Sequence, residues 1–87
     1  MADDLRTLFD QAAVDVKGLA KRPGDDDMLV LYALYKQSTE GDVKGAKPGF
    51  FDFVARAKYE AWQGLAGTPA EDAMRRYIDK VRALAGG

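Results

Sequence analysis

The sequence predicts an all-α fold, a bundle of four helices. Apolar residues recur at steps of three and four in separate segments, Pro and Gly clusters divide those segments, and no window alternates strictly like a half-buried strand. The chain has 87 residues, 47% of them apolar and 31% charged, which fits one soluble domain spanning 1–87, since chains divide into separate cores only at greater length.

Helix one is expected over Leu5 to Ala20, where Leu5, Leu8, Phe9, Ala12, Ala13, Val16 and Leu19 form one apolar face. Asp3 or Asp4 can cap its start, Lys17, Lys21 and Arg22 suit its end, and Pro23-Gly24 breaks it. The apolar run Met28–Tyr35 also suits a buried strand, but the context favours a helix from about Asp25 to Thr39. Asp25, Asp26 and Asp27 offer an N-cap and an acidic first turn, and Lys36-Gln37 continue without a turn signal. Glu40 to Gly49, with Gly41, Gly45, Pro48 and Gly49, reads as a long loop. Helix three rests on the stripe Phe50, Phe53, Val54, Ala57, Ala61 and Leu65 and ends at Gly67, a suitable left-handed cap. Thr68-Pro69-Ala70-Glu71 is a capping box opening helix four, whose core face is Ala70, Ala73, Met74, Tyr77, Ile78, Val81 and Leu84.

Composition narrows the function. The absence of Cys and His removes disulfides, thiolate nucleophiles, Cys/His zinc sites and imidazole bases. No carboxylate pair or activated serine stands out, so the chain is not expected to be an enzyme, and Asp25–Asp27 lack a calcium-loop pattern. A net charge of −1 gives no overall field for nucleic acid or for strong membrane attraction. No apolar run approaches the ~20 residues of a membrane span, and the acidic N-terminus is unlike a signal peptide, so we expect a cytoplasmic protein without stable membrane insertion. Lack of a heptad seam suggests a monomer.

Local chemistry leaves alternatives open. Met28, Leu31, Tyr32 and Tyr35 share one side of helix two, while Val30 and Leu34 occupy another, so the helix is either enclosed or turns a second face to an apolar partner. Tyr32, Tyr35 and Lys36, at i, i+3 and i+4, could hold an aromatic base and a phosphate, or be two core tyrosines and a solvated lysine. Lys17 and Lys58 border apolar stripes, where lysines usually snorkel. With Lys36 and Tyr77 they could also converge on one anion.

The segment Tyr32-Ala33-Leu34-Tyr35-Lys36-Gln37-Ser38-Thr39-Glu40-Gly41-Asp42 resembles the signature of acyl-CoA-binding proteins. The likeness continues through Pro48-Gly49, Lys58, Ala61-Trp62, Gly67 and Ala73-Met74-x-x-Tyr77-Ile78, over almost the whole chain. This resemblance implies an up-down-down-up bundle that binds medium- to long-chain fatty acyl-CoA as a ligand, without a cofactor or catalysis, as an intracellular carrier and pool former. It implies head-group contacts from Lys17, Tyr32, Tyr35, Lys36, Lys58 and Tyr77, with Ala33 and Leu34 inside the same signature. Ala12, Ala13, Met28 and Leu29 match positions along the pantetheine and acyl path. The sequence departs from the family pattern at Val54 and Ala66, where lysine is frequent, and at Tyr59, where tryptophan is. The competing reading from the residues is a helical module that receives a partner helix on an exposed apolar face.

Overall fold

The computed structural model describes the backbone of residues 2–86 and the side chains of residues 4–86. Four helices follow in order, α1 (Ala2–Asp15), α2 (Asp25–Glu40), α3 (Phe53–Gln63) and α4 (Ala70–Gly86), and the described residues include no strand. Side-chain pairs fix their directions. Phe9 meets Tyr35 and Tyr77, while Val16 and Lys17 line one cleft with Met28 and Leu19 lines another hollow with Val81 and Leu84. Thus α1 runs antiparallel to α2 and parallel to α4. Lys80 pairs with Asp27 at 2.6 Å and Gln37 reaches Thr68, so α2 and α4 are antiparallel. Down α2, Leu29 lies beside Phe53 and Val54, Tyr32 beside Lys58 and Lys36 beside Trp62, which makes α3 parallel to α2. The order is up-down-down-up, and the long loop over 41–52 supplies the length that a parallel return requires.

The core is built from Phe9, Ala12, Leu31, Leu34, Ala73, Met74, Tyr77, Ile78 and Val81, drawn from α1, α2 and α4. Helix four supplies its expected stripe except Ala70, which is exposed, and Leu84, which is half-buried.

Several local expectations are corrected. Helix one stops as an α-helix at Asp15 and continues as a 3-10 turn over Val16–Gly18, after which Leu19 is extended. A 3-10 turn keeps i and i+3 side chains aligned, so the apolar periodicity outlasts the α-helix. Asp4 lies inside the first turn because α1 already includes Ala2, and the Asp3 side chain is outside the described residues. The N-cap of α2 is Gly24, without a side-chain bond, and the three aspartates occupy the first turn, where they complement the helix dipole. Helix three starts at Phe53 rather than Phe50, capped by Asp52 accepting from the Ala55 amide at 3.3 Å. Its expected core stripe is split: Phe50, Phe53 and Val54 are exposed, Ala57, Ala61 and Leu65 are half-buried, and Trp62, outside that stripe, is the buried residue of α3. After Gln63 the chain tightens into turns before Gly67 adopts φ +87, the left-handed conformation expected there.

Candidate functional site

Where α1, α2 and α4 meet, a cleft of about 350 Å³ opens to solvent, lined by Ala13, Val16, Lys17, Met28, Leu31, Tyr32, Tyr35 and Tyr77. Its aromatic wall is a packed set. Phe9 stacks on Tyr35 with centroids 5.5 Å apart, meets Tyr77 edge-on at 5.1 Å, and Tyr35 lies 6.0 Å from Tyr77. Such contacts restrain the rings before any ligand arrives. Burial, with Tyr35 nearby, raises the Tyr77 phenol above its ordinary pKa, so it stays neutral.

A second cleft, of about 460 Å³, runs between α2 and the start of α3, lined by Arg22, Asp25, Met28, Leu29, Phe53, Val54, Ala57 and Lys58. Met28 lines both clefts, and also a third hollow with Val16, Lys17, Leu19, Arg22 and Pro23. The three are therefore neighbours around one flexible side chain. Lys58 belongs to the second cleft, yet its ammonium lies over the Tyr32 ring at 5.3 Å from the centroid. It links the two openings electrostatically. The result is a set of adjoining, largely apolar clefts, the first with an aromatic wall, bordered by Lys17, Arg22 and Lys58, with Asp25 also at the second.

Not every sequence-predicted residue lines these clefts. Ala13, Lys17, Met28, Tyr32, Tyr35 and Tyr77 share the first cleft, and Leu29 and Lys58 the second. Lys36 points toward α3, 5.2 Å over the Trp62 ring, and bonds Glu40. That bond holds its ammonium above the usual lysine pKa, against the opposing effect of burial. Ala12, Ala33 and Leu34 are 5%, 3% and 2% exposed, so their side chains support the clefts from within instead of lining them. The signature is contiguous in sequence, but on a helix successive residues point around the axis.

Sequence reasoning missed Arg22, whose position just before the Pro23-Gly24 break was the available signal. It also missed a polar tie beneath the signature. Buried Gln37 donates from Nε2 to Asp42 Oδ1 at 2.9 Å and to the Thr68 carbonyl at 2.8 Å. Asp42 Oδ1 also accepts from the Gly67 amide at 2.8 Å, and Trp62 Nε1 donates to the Gly41 carbonyl at 2.8 Å. Gly41, at φ +80, turns the chain out of α2 so these bonds can form. Ser38 donates back to the Leu34 carbonyl at 2.6 Å, which accounts for its buried hydroxyl. Tyr59, one of the departures, donates to the Gly45 carbonyl at 3.1 Å and ties the same loop to α3. These residues hold the frame, and the tyrosines on the other flank face the cleft.

Fold and clefts together define a small helical domain with an open, aromatic-walled cleft bordered by lysines. Residues 6–81 match the family model described as "Acyl CoA binding protein". The chain is 47% identical over 81 residues to an acyl-CoA-binding protein homolog of Manduca sexta, covering 92% of this chain and 90% of that one. The crystal structure of Oryza sativa acyl-CoA-binding protein 2 superposes with a TM-score of 0.87 at 40% identity, covering 92% of this chain and 89% of that chain. A rat enoyl-CoA delta isomerase 2 is 50% identical over 76 residues, which cover 87% of this chain but 19% of the isomerase. This protein belongs to the acyl-CoA-binding protein family.

Proposed function

We propose that this protein binds medium- to long-chain fatty acyl-CoA thioesters without transforming them, as a monomeric cytoplasmic carrier and pool former. One observation carries the assignment of the site: Lys17, Met28, Tyr32, Tyr35 and Tyr77, from three parts of the chain, line one cleft, with Lys58 over Tyr32. Such a ligand needs cations for its phosphates, an aromatic face for its adenine and apolar cover for its tail. The clefts around Met28 offer all three. Covering a tail contributes ~0.8 kcal/mol per methylene, which outweighs an association cost of ~4–15 kcal/mol once the chain is long enough. Longer esters therefore bind tighter.

Membership of the family supports a non-catalytic binder, and the rat isomerase's similarity is confined to a small part of its length. Nothing in the comparisons favours the alternative of a module for a partner helix.

Calorimetric titration of delipidated protein with palmitoyl-CoA, beside palmitate, CoA and the dephospho-CoA ester, tests the reading. We expect one tight site for palmitoyl-CoA and weak binding of each fragment. Lys58→Ala should weaken the intact ester about tenfold or more, the effect of losing one charge-assisted hydrogen bond, with an unchanged helical spectrum. Equal affinity of variant and wild type would remove Lys58 from the site, and no binding to folded protein would end the carrier reading.

A further inference from the structure

The chain has three methionines and no cysteine, so all of its oxidisable sulfur is thioether. Met1 lies outside the described residues, and Met74 sits in the core at 8% exposure. Met28 is 42% exposed near the start of α2. It is the one described residue that lines the first cleft, the second cleft and the adjoining hollow alike. Val16 and Leu31 flank it in the first cleft, Leu29 and Ala57 in the second, and Lys17 and Arg22 share the hollow with it. A ligand that spans the first and second clefts therefore lies across this side chain.

We propose that Met28 is a reversible oxidation site, at which a peroxide loosens the domain's hold on an acyl chain; the consequence for binding rests on the acyl-CoA reading above. The thioether sulfur donates a lone pair to one oxygen of hydrogen peroxide. An S–O bond forms as the O–O bond breaks, sulfur loses two electrons, and the other oxygen leaves as water. Exposure opens Met28 to this reaction while packing shields Met74. The product replaces a soft apolar group with a polar acceptor. Covered by a tail among Val16, Leu29 and Leu31, the sulfoxide oxygen loses its water. It then stays unpaired or draws Lys17 or Arg22 away from the rim, and either outcome weakens the complex. Methionine sulfoxide reductases reverse the change, releasing the oxygen as water while two thiols become a disulfide.

Peptide mass mapping after hydrogen peroxide treatment locates the added oxygen, and titration with palmitoyl-CoA reads its effect. We expect Met28 to react well before Met74, and more slowly when palmitoyl-CoA is bound. The oxidised protein should keep its helical spectrum, bind palmitoyl-CoA about tenfold more weakly, and recover after treatment with sulfoxide reductase. Met28→Leu, compared with its own untreated affinity, should not respond to peroxide. Met28→Gln, polar and of similar length, should bind about tenfold more weakly than wild type with no oxidant present. Met74 reacting as fast as Met28, full affinity after oxidation of Met28, or equal peroxide sensitivity in Met28→Leu overturns the proposal. Untreated protein that fails to bind palmitoyl-CoA would overturn the carrier reading and this proposal with it, an outcome distinct from tight binding that oxidation leaves unaltered.

Discussion

Phe9, Tyr35 and Tyr77 pack ring to ring where α1, α2 and α4 meet, at 5.1 to 6.0 Å between centroids, whereas Phe50, Phe51 and Phe53 leave 70–83% of their surface open. The residues are chemically close, so type alone does not decide their fate. In the first region α2 and α4 each lie against two other helices, and every inward ring has facing neighbours. In the second, the chain has just crossed a long loop and α3 has α2 as its main packing partner, so an apolar stripe can form with nothing to cover it. Helical periodicity marks a face, and only topology supplies the lid.

Paired truncations test that contrast most strongly. Phe9→Ala, at a position 1% exposed, should cost about 3–5 kcal/mol of folding stability, and Phe51→Ala should stay within about ±0.5 kcal/mol. Urea midpoints measure both, and comparable losses would mean the exposed ring is packed after all. Trp62→Phe falls between the two extremes. It keeps most of the buried ring but removes the bond to the Gly41 carbonyl, and should cost about 1 kcal/mol while loosening the loop in amide exchange. The smallest effect concerns Asp42, whose carboxyl is held below its usual pKa first by the Gln37 side chain and then by the Gly67 amide. A depressed folded-state value means stability that is fully present above the unfolded pKa near ~3.9 and lost as pH falls through the folded one. Asp42→Asn should therefore show a shallower loss of stability below about pH 4 than wild type, and parallel acid curves would assign the tie to other groups.

Much of this was legible in the sequence, and the failures share a cause. Helix two was expected over Asp25 to Thr39 and spans Asp25–Glu40, because its start and its stop at Gly41 are both written in local chemistry. The tyrosines and lysines of the cleft stood out by spacing and by the family resemblance. Distances between elements were not legible. Spacing alone could not show that Lys58 would lie over Tyr32 while Lys36 turned to Trp62 and Glu40. Nor could it show that Ala12, Ala33 and Leu34 would be sealed in the core, since adjacent positions on one helix belong to different neighbours. The Phe50, Phe53 and Val54 stripe misled for the same reason.

The parallel arrangement of α1 and α4 bears on how this domain could sit in a longer polypeptide. With Phe9 level with Tyr77 and Leu19 level with Leu84, residues 2 and 86 lie at opposite ends of the bundle, roughly the ~25 Å length of a 17-residue helix apart. Segments fused at the two sites would be held in line, with the bundle as a rigid spacer between them. Joining the same two sites into a loop, as a circular permutant requires, would take about eight extended residues, and a shorter bridge should pull the terminal helices out of register.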